Sequence, residues 1–174
     1  MNVLLAYATT HGSSAEIAQF MSKVLQEKGH TAKVVNVEHI NTIENYGAFI
    51  LGSPIYAGNW MPEFSTFLKA FGSRMAAHPV YLWVSCIRVL EENGQEHVLE
   101  FYLQHDLLRE VKVREAATFA GKLNLEETDW NERWTLAARY DGGTWPSSFN
   151  GDFRNWEEIR QWTERVAEEL HNES

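Results

Sequence analysis

Hydrophobic and polar positions follow two rhythms along this chain. Short unbroken apolar runs predict buried strands, whereas apolar residues spaced three and four apart predict amphipathic helices. The predicted strands are the run that opens at Val3 and the ranges 31–37, 48–52, 80–84 and 116–120. The run at 48–52 is short enough for a strand that is buried on both faces of a sheet.

Helical spacing separates these runs. The first predicted helix ends at Gly29, a suitable C-terminal capping residue. Pro62 suits the first turn of a second helix, and residues 95–110 are predicted as a third. Asn155 with Glu158 resembles a capping box and opens the last helix. Three of these helices are predicted to bury one apolar face each. In the first helix this face comprises Ile17, Phe20, Met21, Val24 and Leu25. In the second it comprises Phe64, Phe67, Leu68 and Phe71, and in the last Trp156, Ile159, Trp162, Val166 and Leu170.

Strands that alternate with helices predict an α/β fold, in which a parallel sheet is covered by helices on both faces. We expect five such strands in a single domain that spans residues 1–174. The stretch 122–153 is predicted to be irregular, and it is long for a connection inside a domain. We expect its aromatic residues to be packed, namely Trp130, Trp134, Trp145 and Phe149.

Composition narrows the functional classes. A formal net charge of −9 argues against nucleic acid as a partner, because nucleic-acid binding requires clustered cations. Cys86 is the single cysteine, which excludes an internal disulfide and a C-x-x-C metal site, and no metal is expected. The N-terminus does not resemble a signal peptide and no apolar run is long enough to span a membrane, so we expect a soluble, cytoplasmic protein.

The most informative segment joins the first strand to the first helix. Residues Thr9–Ser14 combine hydroxyl side chains with one glycine and include no Lys or Arg. A helix N-terminus offers unpaired N–H groups and a partial positive charge, so this loop can bind a phosphate through main-chain amides and hydroxyls. The alternative is that Ser13 or Ser14 simply caps the helix. The patterns G-x-x-x-x-G-K-[ST] and G-x-G-x-x-G are missing from the loop, which argues against nucleotide hydrolysis and a standard dinucleotide fold.

Two further loops are predicted to converge with the first one. In an open parallel sheet, ligands bind beyond the carboxyl ends of the strands, where the strand order reverses. The loop 53–60 places Tyr56 and Trp60 around a turn of small residues, which suits a flat ring. The alternative is that both aromatic side chains are ordinary packing. The loop 85–93 follows the next strand. A phosphate loop beside a ring-binding loop favours FMN as the cofactor.

Three segments of the chain resemble the flavodoxin-like proteins, and within them the branch that contains menaquinone-dependent protoporphyrinogen oxidase. They are 7–18, 51–60 and Gly151–Trp156, the last of which points to that branch. The resemblance covers nearly the whole chain and implies a three-layer sandwich with strand order 2-1-3-4-5 and noncovalent FMN. By position it assigns cofactor binding to Thr9, Thr10, His11, Gly12, Ser13, Ser14, Ser53, Pro54, Ile55, Tyr56, Ala57, Gly58, Asn59, Trp60, Ser85 and Cys86.

The same resemblance implies an FMN-dependent oxidoreductase that passes electrons from a small organic substrate to a quinone-type acceptor. The alternative is a flavodoxin-type electron carrier, which has no substrate of its own and docks its acidic face on redox proteins. A third, non-redox alternative is a binding module that has lost FMN. No integral membrane segment is expected, whereas peripheral contact with a membrane and the oligomeric state are left open.

Arg88 is the one cation in the loop after the fourth predicted strand. It is the candidate catalytic residue, and its role is either to stabilise the reduced flavin or to bind an acidic substrate. The alternative is an arginine on a solvated loop. Cys86 is expected to be a buried and unreactive thiol, because reactivity requires electropositive surroundings. His11 can either hydrogen-bond the phosphate or face solvent, and we favour a structural role within the loop.

Overall fold

The computed structural model describes residues 1–140 and 150–173. Its strands in chain order are β1 (Asn2–Tyr7), β2 (Thr31–Asn36), β3 (Ala48–Tyr56), β4 (Asn59–Trp60), β5 (Val80–Ser85), β6 (Glu115–Phe119), β7 (Lys122–Leu123) and β8 (Gly151–Asp152). Its helices are α1 (Ser13–Glu27), α2 (Pro62–Met75), α3 (Gly94–Phe101), α4 (His105–Val111), α5 (Trp130–Tyr140) and α6 (Trp156–Asn172). Two short 3-10 turns occupy Val37–His39 and Ile87–Leu90.

The central sheet has the predicted topology. Strands β2, β1, β3, β5 and β6 lie side by side in that order and run parallel, which confirms the expected order 2-1-3-4-5 of the main strands. The short strand β4 adds a sixth member, antiparallel to the end of β3. The strand order reverses between β1 and β3, so the loops that follow these two strands flank the switch point where such sheets bind ligands.

Each face of the sheet forms its own core, because successive side chains of a strand point to opposite faces. On one face, Leu4 and Leu51 pack with side chains of α2, α3 and α4. On the other face, Leu5 and Ile50 pack with side chains of α1 and α6, including the fully enclosed Trp162. The fold is therefore the predicted α/β sandwich of three layers, with both faces of the sheet covered.

The helix ends follow from local sequence. Gly29, with a φ of +85°, follows the last turn of α1 in the left-handed conformation expected after a helix. Pro62 is in the first turn of α2. The side chain of Asn155 accepts a hydrogen bond of 3.2 Å from the Glu158 N–H and so caps α6. These three predicted boundaries are confirmed.

Gly52 and Trp83 make a close approach at the centre of the sheet. The two residues are register partners in β3 and β5, and Trp83 is only 1% exposed. A Cβ added at Gly52 would lie 2.1 Å from the indole ring of Trp83. Because the core is close-packed, the ring has no space into which to retreat. The glycine is therefore what allows a tryptophan at this position.

The predicted helix at 95–110 is wrong in one respect, since it is divided into α3 and α4. Val98 and Leu103 are both buried in the core. In one continuous helix, residues five apart would point about 140° away from each other. The break between Phe101 and His105 removes this conflict, because it lets both side chains face the sheet.

The prediction that 122–153 is irregular is also wrong for much of its length. The segment contributes β7, helix α5 and β8, and the β7–β8 ladder closes it. Trp130 and Trp134, which were expected to be packed, are 62% and 45% exposed. The other two aromatic residues of that expectation, Trp145 and Phe149, lie outside the described residues.

Candidate functional site

A cavity of about 440 Å³ opens at the carboxyl end of the sheet, beside the switch point. Its volume lies within the usual range for small-molecule and cofactor sites. The loops after β1, β3 and β5 contribute to its wall, as predicted from their convergence. Its remaining walls come from Tyr102, from residues 121–123 and from the segment that includes α5.

The loop Thr9–Ser14 is built around Gly12. Gly12 has a φ of +86° and occupies the N-cap position of α1, and no side chain there makes a capping hydrogen bond. The hydroxyl of Thr9 accepts a hydrogen bond of 2.9 Å from the Gly12 N–H, which fixes the turn from within. The alternative prediction, in which Ser13 or Ser14 caps the helix, is therefore wrong.

The side chains of this loop have different surroundings. Thr10, His11 and Ser13 line the cavity, and the Thr10 hydroxyl donates a hydrogen bond of 3.3 Å to the sulfur of Met61. Ser14 is fully buried in the first turn of α1, and its hydroxyl has no hydrogen-bond partner among the described residues. A buried hydroxyl without a partner is costly. The Ser14 hydroxyl lies in the first turn of the helix, where the main-chain N–H groups also have no partner within the helix.

The loop Thr9–Ser14 is anchored by Arg154, a residue whose role the sequence did not predict. Arg154, whose side chain is 3% exposed, donates a hydrogen bond of 3.2 Å to the Ser13 carbonyl. Its guanidinium also lies 2.6 Å from a carboxylate oxygen of Asp152 and 2.6 Å from one of Glu16, and it stacks 4.5 Å from the ring centroid of Trp156.

These contacts decide the electrostatics of the loop. The hydrogen bond and the charge of Arg154 lower the pKa of Asp152 below its usual value. Two carboxylates face one guanidinium, so Arg154 anchors the loop without adding a net positive charge. The prediction that a phosphate here would be held without a dedicated counter-charge is consistent with this arrangement. The sequence signal for this anchor lies in the segment Gly151–Trp156, which places an acidic and a basic residue just before a helix.

The loop 53–60 is a tight hairpin. Ala57 and Gly58 connect β3 to β4, and both have positive φ values, +48° and +77°. Two such residues in a row are typical of the type I′ turn, which matches the twist of paired strands. For Ala57 this conformation is strained, because its Cβ crowds the backbone. Pro54, Ile55, Tyr56, Ala57 and Gly58 line the cavity, and Tyr56 is 43% exposed.

The other predicted residues of this loop lie away from the cavity. Trp60 is 3% exposed in the core, donates a hydrogen bond of 2.6 Å to the Ser65 hydroxyl and packs edge to face on Phe64. The predicted stacking of Trp60 on a ligand does not fit this position, whereas Tyr56 stays a candidate. Ser53 is buried, and its hydroxyl accepts a 3.1 Å hydrogen bond from the Met61 N–H. Asn59 is exposed, and its amide donates to the Ala57 carbonyl.

The loop after β5 brings Ser85, Cys86, Ile87 and Arg88 to the cavity. Burial raises the pKa of the Cys86 thiol to about 11, so the thiol stays protonated at neutral pH. A protonated thiol is a poor nucleophile, which agrees with the expected structural role. Arg88 is not an ordinary surface arginine, since its side chain is only 24% exposed and lies 3.0 Å from a Glu91 oxygen.

Helix α5 forms the wall that the sequence did not reveal. Asn131, Thr135, Leu136 and Arg139 of this helix line the cavity. Trp130 and Trp134, the largest apolar residues of the helix, pack edge to face on each other with ring centroids 5.9 Å apart and lie outside the cavity lining. The apolar pattern of α5 therefore gave no indication of the face that it turns inward. Residues 121–123 had a clearer signal, because they follow β6 at the same edge of the sheet.

Comparison with known proteins now identifies the architecture. The flavodoxin domain family matches residues 4–142. The chain belongs to that family. A curated relative, protoporphyrinogen IX dehydrogenase [quinone] of Escherichia coli strain K12, is 23% identical over 172 residues, which cover 96% of this chain and 95% of the relative.

Solved structures share the flavodoxin fold. Oxidised flavodoxin 2 from Bacillus cereus has a TM-score of 0.63 and 19% identity, with 97% of this chain and 99% of that one covered. Rubredoxin oxygen:oxidoreductase from Desulfovibrio gigas has a TM-score of 0.63 and 14% identity, with 98% of this chain covered. This flavodoxin-family chain corresponds to only 36% of that larger protein. Within the described residues, every helix is too short or too polar to cross a membrane.

Proposed function

We propose that this chain binds FMN in the cavity and acts as an oxidoreductase that passes electrons from an organic substrate to a quinone-type acceptor. The observation that carries the cofactor assignment is Ser14, a fully buried hydroxyl without a partner among the described residues, in the first turn of a helix at the switch point. A phosphate oxygen would satisfy this hydroxyl and the neighbouring main-chain N–H groups together.

The residues present fit the parts of FMN. Thr10 and Ser13 line the cavity, and Ser14 is buried next to them in the first turn of α1. Their three hydroxyls are the side-chain groups that would hold the phosphate. The hairpin Pro54–Gly58 offers main-chain groups and the Tyr56 ring for the flat isoalloxazine. When bound, FMN supplies reversible uptake of electrons or hydride, while the protein supplies orientation and electrostatics. Cys86 contributes a protonated thiol to the wall rather than a nucleophile.

Helix α5 favours an enzyme over a simple carrier. It adds a wall with polar and apolar side chains, Asn131, Thr135 and Leu136, to the cavity formed by the three loops. A cavity with this additional wall suits a small organic molecule held beside the cofactor. The relative in E. coli, named as a dehydrogenase of protoporphyrinogen IX that uses quinone, supports this direction of electron flow.

A flavodoxin-type electron carrier is the second candidate. The net charge of −9 and the 43% exposure of Tyr56 beside the cavity favour docking on a basic redox partner, since complementary charge steers such encounters. In this function the cavity holds the cofactor alone.

Cofactor binding is tested by titrating purified protein with FMN and following flavin fluorescence. The Ser14→Ala variant is expected to bind FMN roughly tenfold more weakly, because it removes one hydrogen bond to a charged group. The matched control is Ser22→Ala, the same substitution at another buried serine of α1 whose hydroxyl is 3.5 Å from Gln26. Absence of FMN binding in the wild type, or equal losses in the two variants, refutes the cofactor assignment.

Anaerobic turnover then separates the two functions. The enzyme is expected to oxidise protoporphyrinogen IX, or another organic donor in a screen, at a rate that rises with the concentration of a menaquinone analogue. A carrier is expected to bind FMN tightly and to exchange electrons with redox proteins, with no turnover of small donors. The latter result would refute the enzymatic proposal while leaving FMN binding intact.

A further inference from the structure

The charge of the cavity wall is opposite to that of the chain. The protein has 24 acidic residues against 15 Lys and Arg. Among the described residues that line the cavity, however, Arg88, Lys122 and Arg139 are basic and none is Asp or Glu. A concave site with one sign of charge and apolar walls concentrates ligands of the other sign. The cavity is therefore suited to an anionic ligand, although the protein as a whole repels anions.

Two of these cations form a cluster with Glu91. The Nε atom of Arg88 lies 3.0 Å from one oxygen of Glu91. Arg139 at the end of α5 donates to both oxygens, at 2.9 Å from Nε and 3.4 Å from Nη2. One carboxylate is therefore shared by two guanidinium groups, and these three side chains together carry one net positive charge. Glu91 is outside the cavity lining, whereas both arginines belong to it.

The backbone under this cluster is fixed. Glu91 N–H donates to the Arg88 carbonyl at 3.0 Å, and Gly94 N–H donates to the Glu91 carbonyl at 2.9 Å. A Cβ added at Gly94 would lie 2.0 Å from the Arg88 carbonyl oxygen, so the turn and the start of α3 are in direct contact. Arg88 is thus presented from a rigid turn, which lowers the entropic cost of binding a ligand.

The cluster is separate from the phosphate loop. Strand β3 lies between β1 and β5 in the sheet, so the loop Thr9–Ser14 and Arg88 follow strands that are roughly 10 Å apart. The cluster and the loop are therefore presented from different strands, so the cluster suits a second acidic group beside the phosphate that the loop is proposed to hold.

We propose that Arg88 and Arg139, which share Glu91, bind the carboxylate of an acidic ligand with an apolar body. The apolar lining beside them, Ile87, Leu123 and Leu136, contacts that body. Arginine suits this role because its planar group forms paired, charge-assisted hydrogen bonds with carboxylates. That this ligand is the electron donor rests on the proposed function, whereas the existence of the site does not.

Calorimetric titration with two probes of the same shape tests the site. FMN-loaded protein is titrated with 2-naphthoate and, separately, with the uncharged 2-naphthamide. The wild type is expected to bind the carboxylate about tenfold more tightly than the amide, the effect of hydrogen bonds to a charged group. Arg88→Gln and Arg139→Gln are each expected to remove most of this preference without changing the affinity for the amide.

Glu91→Gln distinguishes ligand binding from a purely structural role. Glutamine keeps a side-chain oxygen next to the two guanidinium groups but removes the negative charge that competes with the ligand, so 2-naphthoate is expected to bind more tightly than to the wild type. The control is Arg74→Gln, since Arg74 pairs with Glu44 at 3.2 Å but lies outside the cavity lining. Melting curves identify any variant that fails to fold, and Arg88→Lys then replaces Arg88→Gln, with a partial loss expected because the charge remains.

The outcomes separate this proposal from the cofactor assignment. Equal affinity for the two probes, binding of neither probe, or a Glu91→Gln loss that parallels the arginine variants overturns the carboxylate site. If FMN itself does not bind in the fluorescence titration, the proposed function fails. The probe titrations are then made on the protein without FMN, where the same pattern of gains and losses supports the site and its absence overturns it.

Discussion

Replacement of Arg154 by methionine is expected to destabilise the fold and the loop Thr9–Ser14 together. The guanidinium is almost fully buried, and it contacts Asp152, Glu16, the Ser13 carbonyl and the Trp156 ring. Methionine keeps much of the apolar volume but none of the donors. Breaking a buried ion pair by removing one partner costs about 3–5 kcal/mol.

The cost for Arg154→Met is expected at or just below the lower end of that range. The side chains of Asp152 and Glu16 are 40% and 53% exposed, so water can solvate both carboxylates once the arginine is absent. We therefore expect a loss of about 2–3 kcal/mol in the free energy of unfolding. Urea denaturation of the two proteins at neutral pH measures it.

The pH dependence gives an independent check. The hydrogen bond from Arg154 holds the pKa of Asp152 in the folded protein below its ordinary value, so the unfolded chain binds more protons as the pH falls. The stabilisation is therefore complete above the unfolded pKa and is lost as the pH falls through the folded value. In Arg154→Met this acid limb should be shallower than in the wild type.

A matched substitution controls for the general effect of removing an arginine. Arg165 is 59% exposed and lies 3.7 Å from a Glu115 oxygen, so Arg165→Met is expected to change stability by no more than about 0.5 kcal/mol. If Arg154→Met is as mild as Arg165→Met, or if the acid limb is unchanged, the view of Arg154 as the anchor of the loop is wrong.

Three further changes test other parts of the structure. Gly52→Ala should lower the free energy of unfolding by about 2 kcal/mol or more, because the new methyl group overlaps the Trp83 ring; an unchanged urea midpoint would contradict that contact. Ala57→Asn should stabilise the protein by up to about 1 kcal/mol, since asparagine tolerates a positive φ better than alanine, and thermal unfolding measures the gain. Burial lowers the pKa of His30 below its usual 6.5, so stability should decline as the pH falls below that value, and His30→Gln should flatten the decline in urea midpoints measured between about pH 7 and pH 5.

The sequence predicted the parts of the fold that local patterns control. Apolar runs located the five main strands, and Pro62, Gly29 and Asn155 marked helix boundaries, because each acts through its own backbone or a neighbour one turn away. The loops of the site also followed, since parallel strands place their carboxyl ends at one edge. The break between α3 and α4 did not follow, because it depends on how Val98 and Leu103 meet the sheet.

The misjudged site residues depend on contacts that are distant in sequence or on the direction of a side chain. Trp60 and Tyr56 both lie beside a turn, and only the two-residue hairpin decides that Trp60 turns into the core. Arg154 reaches the Ser13 carbonyl across 141 positions of sequence. The tryptophans of helix α5 lie outside the cavity lining, so the apolar pattern of the helix did not predict that its other side chains line the cavity.

The contact between Arg154 and the Ser13 carbonyl has a consequence for biosynthesis. The strands that surround the switch point are made before the residue that anchors their first loop, because Arg154 follows Ser13 by 141 positions. Before Arg154 is made, the chain contains all five strands of the parallel sheet but lacks the residue that anchors the loop Thr9–Ser14. Fragments that end before Arg154 should therefore form the central sheet but bind the proposed cofactor more weakly than the full chain does.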